Sequence, residues 1–470
     1  MSRIATWTAG NSAADRATID HILTTLGIAH RWVEHPPGAG DDPLLAYGDI
    51  EPSARTLVIV PDPATSPFPP ADSMTALDPV FPFDVVRAVG AHLRDDTNRG
   101  VVHDARDRRG RIQYDSAAAT VAGRGDEPVA DELIASVGRW IEARLGIRGL
   151  DRWPGGARLA VGLSHDIDHP DRFPTLRLLA RRPATIRRAP RTLARRLRSD
   201  LGSVRGGARP GDFWVFERLV ESQARRGFRS TWFFAAASVG APWGTTLDVA
   251  YDVTDRRFRP VFDLLSASGN EVGLHTSYRA HEDQRRILLE RRRLADAART
   301  EVTGNRHHYW QLGPDEAATL RGHDAAGFRY DSSVAFNDHV GFRRATSLPF
   351  HPFDETLAAP LRLRELPVFA MDGNLFYGSS DVDAALATIE AGLDRIERVN
   401  GMAIFDWHLQ ACVPTGSKYD PWAEAWQALL DLLAVRPATW VADLGSIDRW
   451  EAGRAVELAR LAADPAPQRG

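Results

Sequence analysis

The sequence predicts an α/β protein in which a (β/α) barrel follows a smaller α/β module. Two observations lead to this prediction. From residue 157 onwards, short and nearly continuous apolar runs alternate with longer segments of helical periodicity, which is typical of a parallel sheet covered by helices. About seven such units over ~300 residues favour a closed barrel over an open sheet.

Length and composition are those of a globular protein with two or three domains. The chain has 470 residues, of which 43% are hydrophobic and 26% charged. A formal net charge of −4 gives no overall signal for binding nucleic acid. The single cysteine, Cys412, excludes an intrachain disulfide framework and fits a reducing compartment.

The sequence shows no export or membrane signal. No apolar signal core follows Met1, and no apolar run approaches the ~20 residues that span a bilayer. We therefore expect a cytoplasmic protein.

Residues 1–150 are predicted to form the smaller module. Its expected elements are a helix over 14–26, a strand over 56–60, a proline-rich loop over 61–70, an apolar and then helical segment over 79–93, and a helix over 131–145. The last helix is the clearest, because apolar side chains recur every three or four positions along it. This module contains no motif that indicates chemistry by itself.

The barrel is predicted over 151–455, followed by a disordered tail over 456–470. Strands are expected over 159–166, 230–236, 271–275, 306–311, 363–369, 401–407 and 438–444. Amphipathic helices are expected over 212–226, 281–299, 314–326, 381–399 and 421–435. No G-x-G-x-x-G motif follows a strand, which argues against a nucleotide cofactor.

A basic insertion interrupts the barrel at 171–209. It holds twelve arginines, two aspartates and no lysine or glutamate, in a pattern that predicts one or two basic amphipathic helices. A solvated insertion is the favoured interpretation. The alternatives are peripheral contact with an anionic membrane or with an anionic glycan carrier. The segment lacks the interleaved aromatic residues that nucleic-acid binding would favour.

Two aspartates at the end of the first barrel strand give the strongest indication of chemistry. The apolar run 159–164 continues into Asp166 and Asp168, and residues two apart in a strand point to the same face. Two adjacent carboxylates repel each other unless a cation or a shared proton relieves the repulsion. A divalent metal ion would do so and would leave one carboxylate free as a base.

Other polar residues follow the later strands. His275 ends one predicted strand, Arg306 to His308 lie at the next, and Asp406 and His408 end the sixth. Catalytic groups of (β/α) barrels lie at the carboxyl ends of the strands. Carboxylates and imidazoles gathered there are the ligands that Zn²⁺ or a similar divalent ion prefers.

Several ordered motifs resemble the polysaccharide deacetylase superfamily (carbohydrate esterase family 4, the NodB homology domain). They are Ser-His-Asp-Ile-Asp at 164–168, Ser-Thr-Trp-Phe-Phe at 230–234 and Glu-Val-Gly-Leu-His-Thr-Ser-Tyr at 271–278. The stretches 305–310, 327–333, 341–350 and 365–372 resemble the WbmS-like branch, which is linked to lipopolysaccharide and surface-polysaccharide loci. The resemblance covers roughly 150–450, and 108–145 also resembles the module that precedes the barrel in those relatives.

The resemblance implies a distorted (β/α)7 barrel and a metal-dependent hydrolase. The substrate would be an N-acetylated amino sugar of a surface polysaccharide or its precursor. By motif position, Asp166 would be the base, Asp168 and His275 metal ligands, and His408 the general acid.

The chain departs from the family motif at the second histidine ligand. The family places that histidine four residues after the first, where this chain has Arg279. His281 is six residues after His275, which in a helix of 3.6 residues per turn rotates it by about 600°, roughly 120° off the required face. His308 is the favoured third ligand, and His281 remains the alternative if 276–280 is a loop.

The remaining candidates would support the reaction or the substrate. Arg306 could pair with Asp166 and depress its pKa, and Asp406 could orient the His408 ring from two residues away. Candidate substrate contacts are Tyr278, Tyr309, Trp310, Asp331 and Trp407. Alternatively, Asp331 has a structural role as a turn residue that caps Ser332 and Ser333.

Two other functions stay open. The barrel could be a catalytically inactive, glycan-binding relative, or a metal-dependent hydrolase of another amide C–N bond. A serine hydrolase is not favoured, because the sequence shows no Gly-x-Ser-x-Gly elbow.

Overall fold

The fold is taken from a computed structural model of the chain. It describes residues 3–10, 12–35, 43–69, 78–99, 106–172, 213–237, 244–245 and 247–463, with isolated positions at 194, 197, 198 and 201. The basic helices predicted over 171–209 lie almost entirely outside these residues, so their contact with an anionic partner stays a prediction. Within the described ranges, no helix combines the length and apolar character needed to cross a bilayer.

The N-terminal module is built on a parallel sheet of four strands. These are β1 (Ile4–Thr8), β2 (His30–Trp32), β3 (Leu44–Tyr47) and β4 (Thr56–Ile59), in the order β2-β1-β3-β4. Of these four strands, the sequence patterns predicted only β4.

Five helices complete the described part of this module. They are α1 (Ala13–Thr25), α2 (Val85–Leu93), α3 (Asp96–Arg99), α4 (Ala118–Val121) and α5 (Val129–Leu145). The predicted stripe of α5 is buried at Leu133, Val137 and Ile141, and the helix ends at Gly146 in the left-handed conformation that glycine favours. The helices predicted over 14–26 and 131–145 are therefore confirmed.

The second sheet closes into a barrel of seven strands, if the two short strands of one bent segment are counted as one. Its strands are β5 (Leu159–Ile167), β6 (Thr231–Phe234), β7 (Glu271–Thr276), β8 (Gly304–His307), β9 (Tyr330–Asp331), β12 (Arg364–Glu365), β13 (Ala370–Met371) and β14 (Met402–Asp406), and a small hairpin, β10 (Phe353–Asp354) and β11 (Ala359–Pro360), precedes β12. Neighbouring strands pair in parallel in the order β12-β9-β8-β7-β6-β5-β14-β13.

Residues 364–371 close the barrel. Their first part, β12, pairs with β9, and their second part, β13, pairs with β14, so one bent segment connects the two edges of the sheet. Arg306 on β8 reaches both Asp166 on β5 and Asp406 on β14 across the interior. The predicted distorted (β/α)7 barrel is thus confirmed.

One further strand and eight helices surround the barrel in the described chain. The strand β15 (Thr439–Ala442) pairs with the first half of β5, before β6 takes over that edge. The helices are α6 (Phe216–Ala224), α7 (Arg259–Ala267), α8 (Gln284–Ala298), α9 (Glu316–Ala325), α10 (Asp372–Leu375), α11 (Val382–Arg398), α12 (Asp420–Val435) and α13 (Leu444–Ala463).

The last helix corrects one prediction. Residues 456–463 were expected to be disordered, but α13 continues to Ala463, with Leu458 buried along it. The helix contacts β2 of the N-terminal module, and Arg3 donates to the Ala462 carbonyl at 3.2 Å, which stabilises the end of this helix. Residues 464–470 lie outside the described chain.

The N-terminal module packs directly on the barrel. Asp131 of α5, which is buried, accepts hydrogen bonds from the hydroxyls of Thr346 (2.6 Å) and Ser347 (2.5 Å). Arg344 of the barrel donates to the carbonyl of Leu93 at 2.8 Å, and Arg454 of α13 donates to that of Thr25 at 3.0 Å. These buried polar contacts fix the module against the barrel.

Candidate active site

The carboxyl end of β5 places two aspartates in the barrel opening. Asp166 and Asp168 are separated by Ile167, which is fully buried, so both carboxylates face the same side. The Asp166 carboxylate lies 3.1 Å from Arg306 Nη1 and 3.4 Å from His275 Nε2. Asp168 lies nearer to solvent, with 15% of its side chain exposed.

Asp168, His275 and His308 form a group that could hold a metal ion. Asp168 lies 3.4 Å from His275 Nε2 through Oδ1 and 3.3 Å from His308 Nε2 through Oδ2. All three potential ligand atoms lie within 4.8 Å of one another. Ligands about 2.0–2.1 Å from a tetrahedral Zn²⁺ are about 3.3–3.4 Å apart, close to the distance of each imidazole from its nearer Asp168 oxygen.

The chemistry of the group also fits a cation. Asp168 Oδ1 is buried and accepts no hydrogen bond from the described protein, which leaves a lone pair directed into the group. Burial would lower the pKa of His308, but the negative charge of Asp168 raises it to about 10. The raised pKa of His308 indicates that this group of residues favours a positive charge. Two imidazoles and one carboxylate are a common open zinc site.

Each imidazole around Asp168 has an oxygen on its other side. His275 Nδ1 lies 2.9 Å from the Arg306 carbonyl oxygen, and His408 Nδ1 lies 2.9 Å from Asp372 Oδ1. His308 Nδ1 lies 3.7 Å from Asp248 Oδ1, beyond hydrogen-bond length. Such outer oxygens orient metal-binding imidazoles so that Nε2 faces the centre.

Arg306 is fully buried and contacts Asp166 and Asp406. Its guanidinium donates to Asp166 Oδ1 at 3.1 Å and lies 3.0 Å from Asp406 Oδ1. Burial would raise the pKa of Asp166, but the nearby His275 and Arg306 lower it below its usual value. Burial and the charge of Asp166 raise the pKa of Asp406 well above its usual range. Of Asp166 and Asp406, Asp166 is thus the carboxylate that is ionised.

His408 is oriented by Asp372 and not by Asp406. The His408 backbone N–H donates to Asp372 Oδ2 at 2.8 Å, in addition to the contact of its ring. Burial would lower the pKa of His408, but the charge of Asp372 raises it well above its usual value. The predicted role of Asp406 is therefore wrong, because its side chain points to Arg306. His408 Nε2 lies 3.6 Å from Asp168 Oδ2, beside the candidate metal group.

His281, the alternative third ligand, does not reach this group. It lies in the 3-10 turn Ala280–Glu282, and its Nδ1 is 3.1 Å from the Tyr278 carbonyl oxygen. Its ring faces the ring of His307 with centroids 5.9 Å apart, on the other side of β8 from His308. The geometry corrects the alternative that assigned His281 as a ligand.

Two of the five candidate substrate contacts lie beside the site. Tyr278 and Tyr309 are half-buried, with ring centroids 5.7 Å apart. The Tyr309 ring stacks on the ring of His308 at 4.6 Å. Both phenols can therefore meet a sugar that enters the site.

The other three candidate contacts, Trp310, Asp331 and Trp407, are buried. Trp407 is completely buried and donates through Nε1 to the Ala411 carbonyl at 2.9 Å. Trp310 packs in an apolar cluster under the barrel opening. Asp331 is completely buried and lies 3.1 Å from His323 Nδ1, so its role is structural.

Two acidic residues of the site were not assigned from the sequence. Asp372 follows the fifth predicted strand, so its position at a strand end was a usable signal. Asp248 lies in the long connection between β6 and α7, away from any strand end, and nothing in the pattern indicates it.

Comparisons with known proteins give likenesses of structure alone. No model of a protein family matches the sequence, and no curated protein matches it. A structure named as a polysaccharide deacetylase from Mycobacterium smegmatis is 17% identical, with a TM-score of 0.45 over 68% of this chain and 96% of its own. The PuuE allantoinase is 14% identical, with a TM-score of 0.41 over 64% and 93%.

A third solved structure is named as a polysaccharide deacetylase of O-antigen biosynthesis, WbmS, from Bordetella bronchiseptica. It is 13% identical, with a TM-score of 0.28 over 67% of this chain and 89% of its own. At such low identity and TM-score, these likenesses carry no argument about function.

Proposed function

We propose that this chain is a metal-dependent hydrolase that removes the N-acetyl group from an amino sugar of a surface polysaccharide or its precursor. The observation behind the proposal is the close group of Asp168, His275 and His308, flanked by a base candidate and an acid candidate. The sequence motifs around these residues resemble those of polysaccharide deacetylases, which supports the choice of an acetylated sugar.

Asp168, His275 and His308 would hold the ion. A divalent ion bound there would supply a Lewis acid that makes water more acidic and polarises an acyl carbonyl. Zn²⁺ suits this mixture of imidazole and carboxylate ligands. The Arg306 carbonyl oxygen keeps the His275 imidazole in position, and the Asp248 carboxylate faces Nδ1 of His308.

Asp166 would act as the general base. It takes a proton from the water that attacks the acetyl carbonyl, while Arg306 keeps the carboxylate ionised and fixed. The C–N bond then breaks, the acetyl group leaves as acetate, and the sugar nitrogen needs a proton. His408, held by Asp372, supplies that proton and the sugar leaves as an amine.

Metal content and acetate release test this proposal together. The purified full chain, loaded with Zn²⁺, is expected to bind about one ion per chain and to release acetate from N-acetylated sugar substrates. Asp168→Ala and His275→Ala should lose both properties. His281→Ala is a matched control, since this nearby histidine lies outside the group and its loss should leave the ion bound.

The same experiment separates the two alternatives. A wild-type chain that binds the ion but releases no acetate, while hydrolysing formyl or cyclic amides, would be an amide hydrolase of another class. A chain that binds N-acetylated sugars without binding an ion would be an inactive glycan-binding barrel. Either result would contradict the proposed function.

A further inference from the structure

A tight turn of the N-terminal module reaches the barrel site. Residues 106–112 form a hairpin with an antiparallel bridge between Arg106 and Ile112. Asp107 accepts the backbone N–H of Arg109 at 2.8 Å, and Gly110 closes the turn with a φ of 80° that favours glycine. Arg108 and Arg109 are the two central residues of this turn.

The hairpin is fastened to the segment that follows β8. Arg111 donates to the carbonyl of Tyr309 at 2.7 Å and to Asn337 Oδ1 at 2.5 Å. Gln311 donates to the carbonyl of Arg109 at 3.1 Å. Tyr309 has a φ of 59°, a conformation that costs energy for a residue with a side chain. The hairpin therefore helps to hold Tyr309 against His308.

Arg109 lies over the two tyrosines of the site. Its guanidinium carbon is 4.0 Å from the centre of the Tyr309 ring and 5.9 Å from that of Tyr278. Tyr309 in turn stacks on His308, a candidate metal ligand. The Tyr309 ring therefore contacts both Arg109 and the candidate metal ligand His308.

The guanidinium of Arg109 has N–H donors that are available to a ligand. Within the described part of the chain, no carboxylate lies within ion-pair distance of it, unlike Arg111, which pairs with Asp107 at 2.5 Å. A guanidinium that contacts a ring through its face keeps the N–H groups along its edge for an acceptor in its plane. Phosphate oxygens match that planar edge well.

We propose that Arg109 binds a phosphate ester on the amino-sugar substrate and so determines specificity. This inference rests on the proposed function, because it needs a sugar in the barrel site. The N-terminal module would then contribute a binding residue to the barrel, and the preferred substrate would be a sugar phosphate rather than a free sugar.

The experiment compares two probes on the zinc-loaded full chain. N-acetylglucosamine 1-phosphate and N-acetylglucosamine are tested for acetate release and for binding by calorimetry. Arg109→Ala should raise KM and Kd for the phosphate probe by about 10- to 100-fold, the loss expected for a hydrogen bond to a charged group. The neutral probe should change by less than about twofold, and Arg109→Lys should recover part of the loss.

Arg108→Ala is the matched control. Arg108 is exposed in the same turn, so its loss removes the same charge without touching the tyrosines. It should leave both probes unchanged. Equal losses for both probes in Arg109→Ala would overturn the proposal and leave Arg109 as a structural contact, as would the absence of any change.

Failure of the proposed function would be seen separately. If the wild type releases acetate from neither probe, the deacetylase assignment fails, and calorimetry still decides whether Arg109 favours the phosphate probe. Nucleoside diphosphate-linked and prenyl diphosphate-linked N-acetylglucosamine then distinguish the two carriers that share this chemistry. Tighter binding of one of them, lost in Arg109→Ala, would identify the carrier.

Discussion

Two groups of histidines and carboxylates lie on either side of β8 and differ in their access to solvent. The open group contains Asp168, His275 and His308. The closed group contains His307, His323, Asp331 and Glu365. In the open group Asp168 is 15% exposed while His275 and His308 are buried, whereas all four members of the closed group are completely buried.

The two groups use the same residue types for different purposes. In the closed group, Asp331 accepts from Asn305 at 2.7 Å and lies 3.1 Å from His323. Glu365 accepts the backbone N–H of Val334 at 2.9 Å. These contacts connect neighbouring strands of the barrel. Residue type alone therefore does not identify a candidate metal site, and solvent exposure of Asp168 is what distinguishes the open group.

The largest expected difference between the two groups is in metal binding. His308→Ala should abolish bound zinc and lower activity by more than the ~10²- to 10⁴-fold that loss of a proton donor costs. His307→Ala should keep the ion and destabilise the fold by about 1–3 kcal/mol, because it leaves buried polar partners unpaired. Metal analysis and urea unfolding of both variants provide the measurement. Loss of zinc in His307→Ala would contradict the prediction that only the open group binds the ion.

A smaller effect is expected from the acid and its partner. His408→Asn should lower kcat by about 10²- to 10⁴-fold with zinc still bound, because the departing amine loses its proton donor. Asp372→Asn should lower kcat by about 10- to 100-fold, since Asp372 orients the ring and its charge raises the pKa of His408. Steady-state kinetics with metal analysis test both variants. A larger loss in Asp372→Asn than in His408→Asn would contradict the assigned roles.

The closed group should show itself in the pH dependence of stability. Burial would raise the pKa of Asp331, but His323 lowers it from 3.8 to about 2. A lowered pKa in the folded state stabilises the protein above pH 3.8, and the stabilisation is lost as the pH falls towards 2. Asp331→Asn should therefore lower the free energy of unfolding by up to about 2 kcal/mol near pH 6.

That difference should shrink as the pH falls below 3.8. Urea unfolding of both proteins between pH 6 and pH 3 provides the measurement. Asp296→Asn, at an exposed position on α8, is the control and should change little at any pH. A gap that does not depend on pH would contradict the charge interaction with His323.

The smallest expected effect separates exposed from buried aromatic residues. Tyr278→Leu should raise KM by about 2- to 10-fold through loss of a ring contact with the sugar, without changing stability. Trp407→Leu should instead lower stability and leave KM unchanged in the folded fraction, since that ring is completely buried. Kinetics and thermal unfolding of the two variants test this. The reverse pattern would show that Trp407 reaches the substrate.

Sequence patterns predicted most of the barrel because its strands are buried on both faces. Residues 159–166 and 401–407 read as apolar runs and are strands at Leu159–Ile167 and Met402–Asp406. Of the fifth predicted strand, 363–369, only Arg364–Glu365 is a strand, and a second short strand, Ala370–Met371, follows in the same segment. This segment bends to pair with both edges of the sheet, a tertiary effect that local periodicity does not contain.

Part of the site was predictable from strand ends. Asp166 and Asp168 share a face by alternation, and Arg306 pairs with Asp166 as expected. Asp372 replaced Asp406 as the partner of His408 because Arg306, from the opposite side of the barrel, draws Asp406 away. Long-range contacts of this kind, like the burial of Trp407, depend on how the barrel closes rather than on spacing along the chain.

Under the proposed function, the hairpin at 106–112 would make the catalytic unit larger than the barrel. A fragment that begins at residue 151 would lack the arginine that supports the backbone of Tyr309 and the one that covers its ring. Swapping substrate preference between relatives would accordingly mean exchanging a four-residue turn, 107–110, while every barrel strand stays in place. Selectivity and bond cleavage would then be free to diverge on separate parts of the polypeptide.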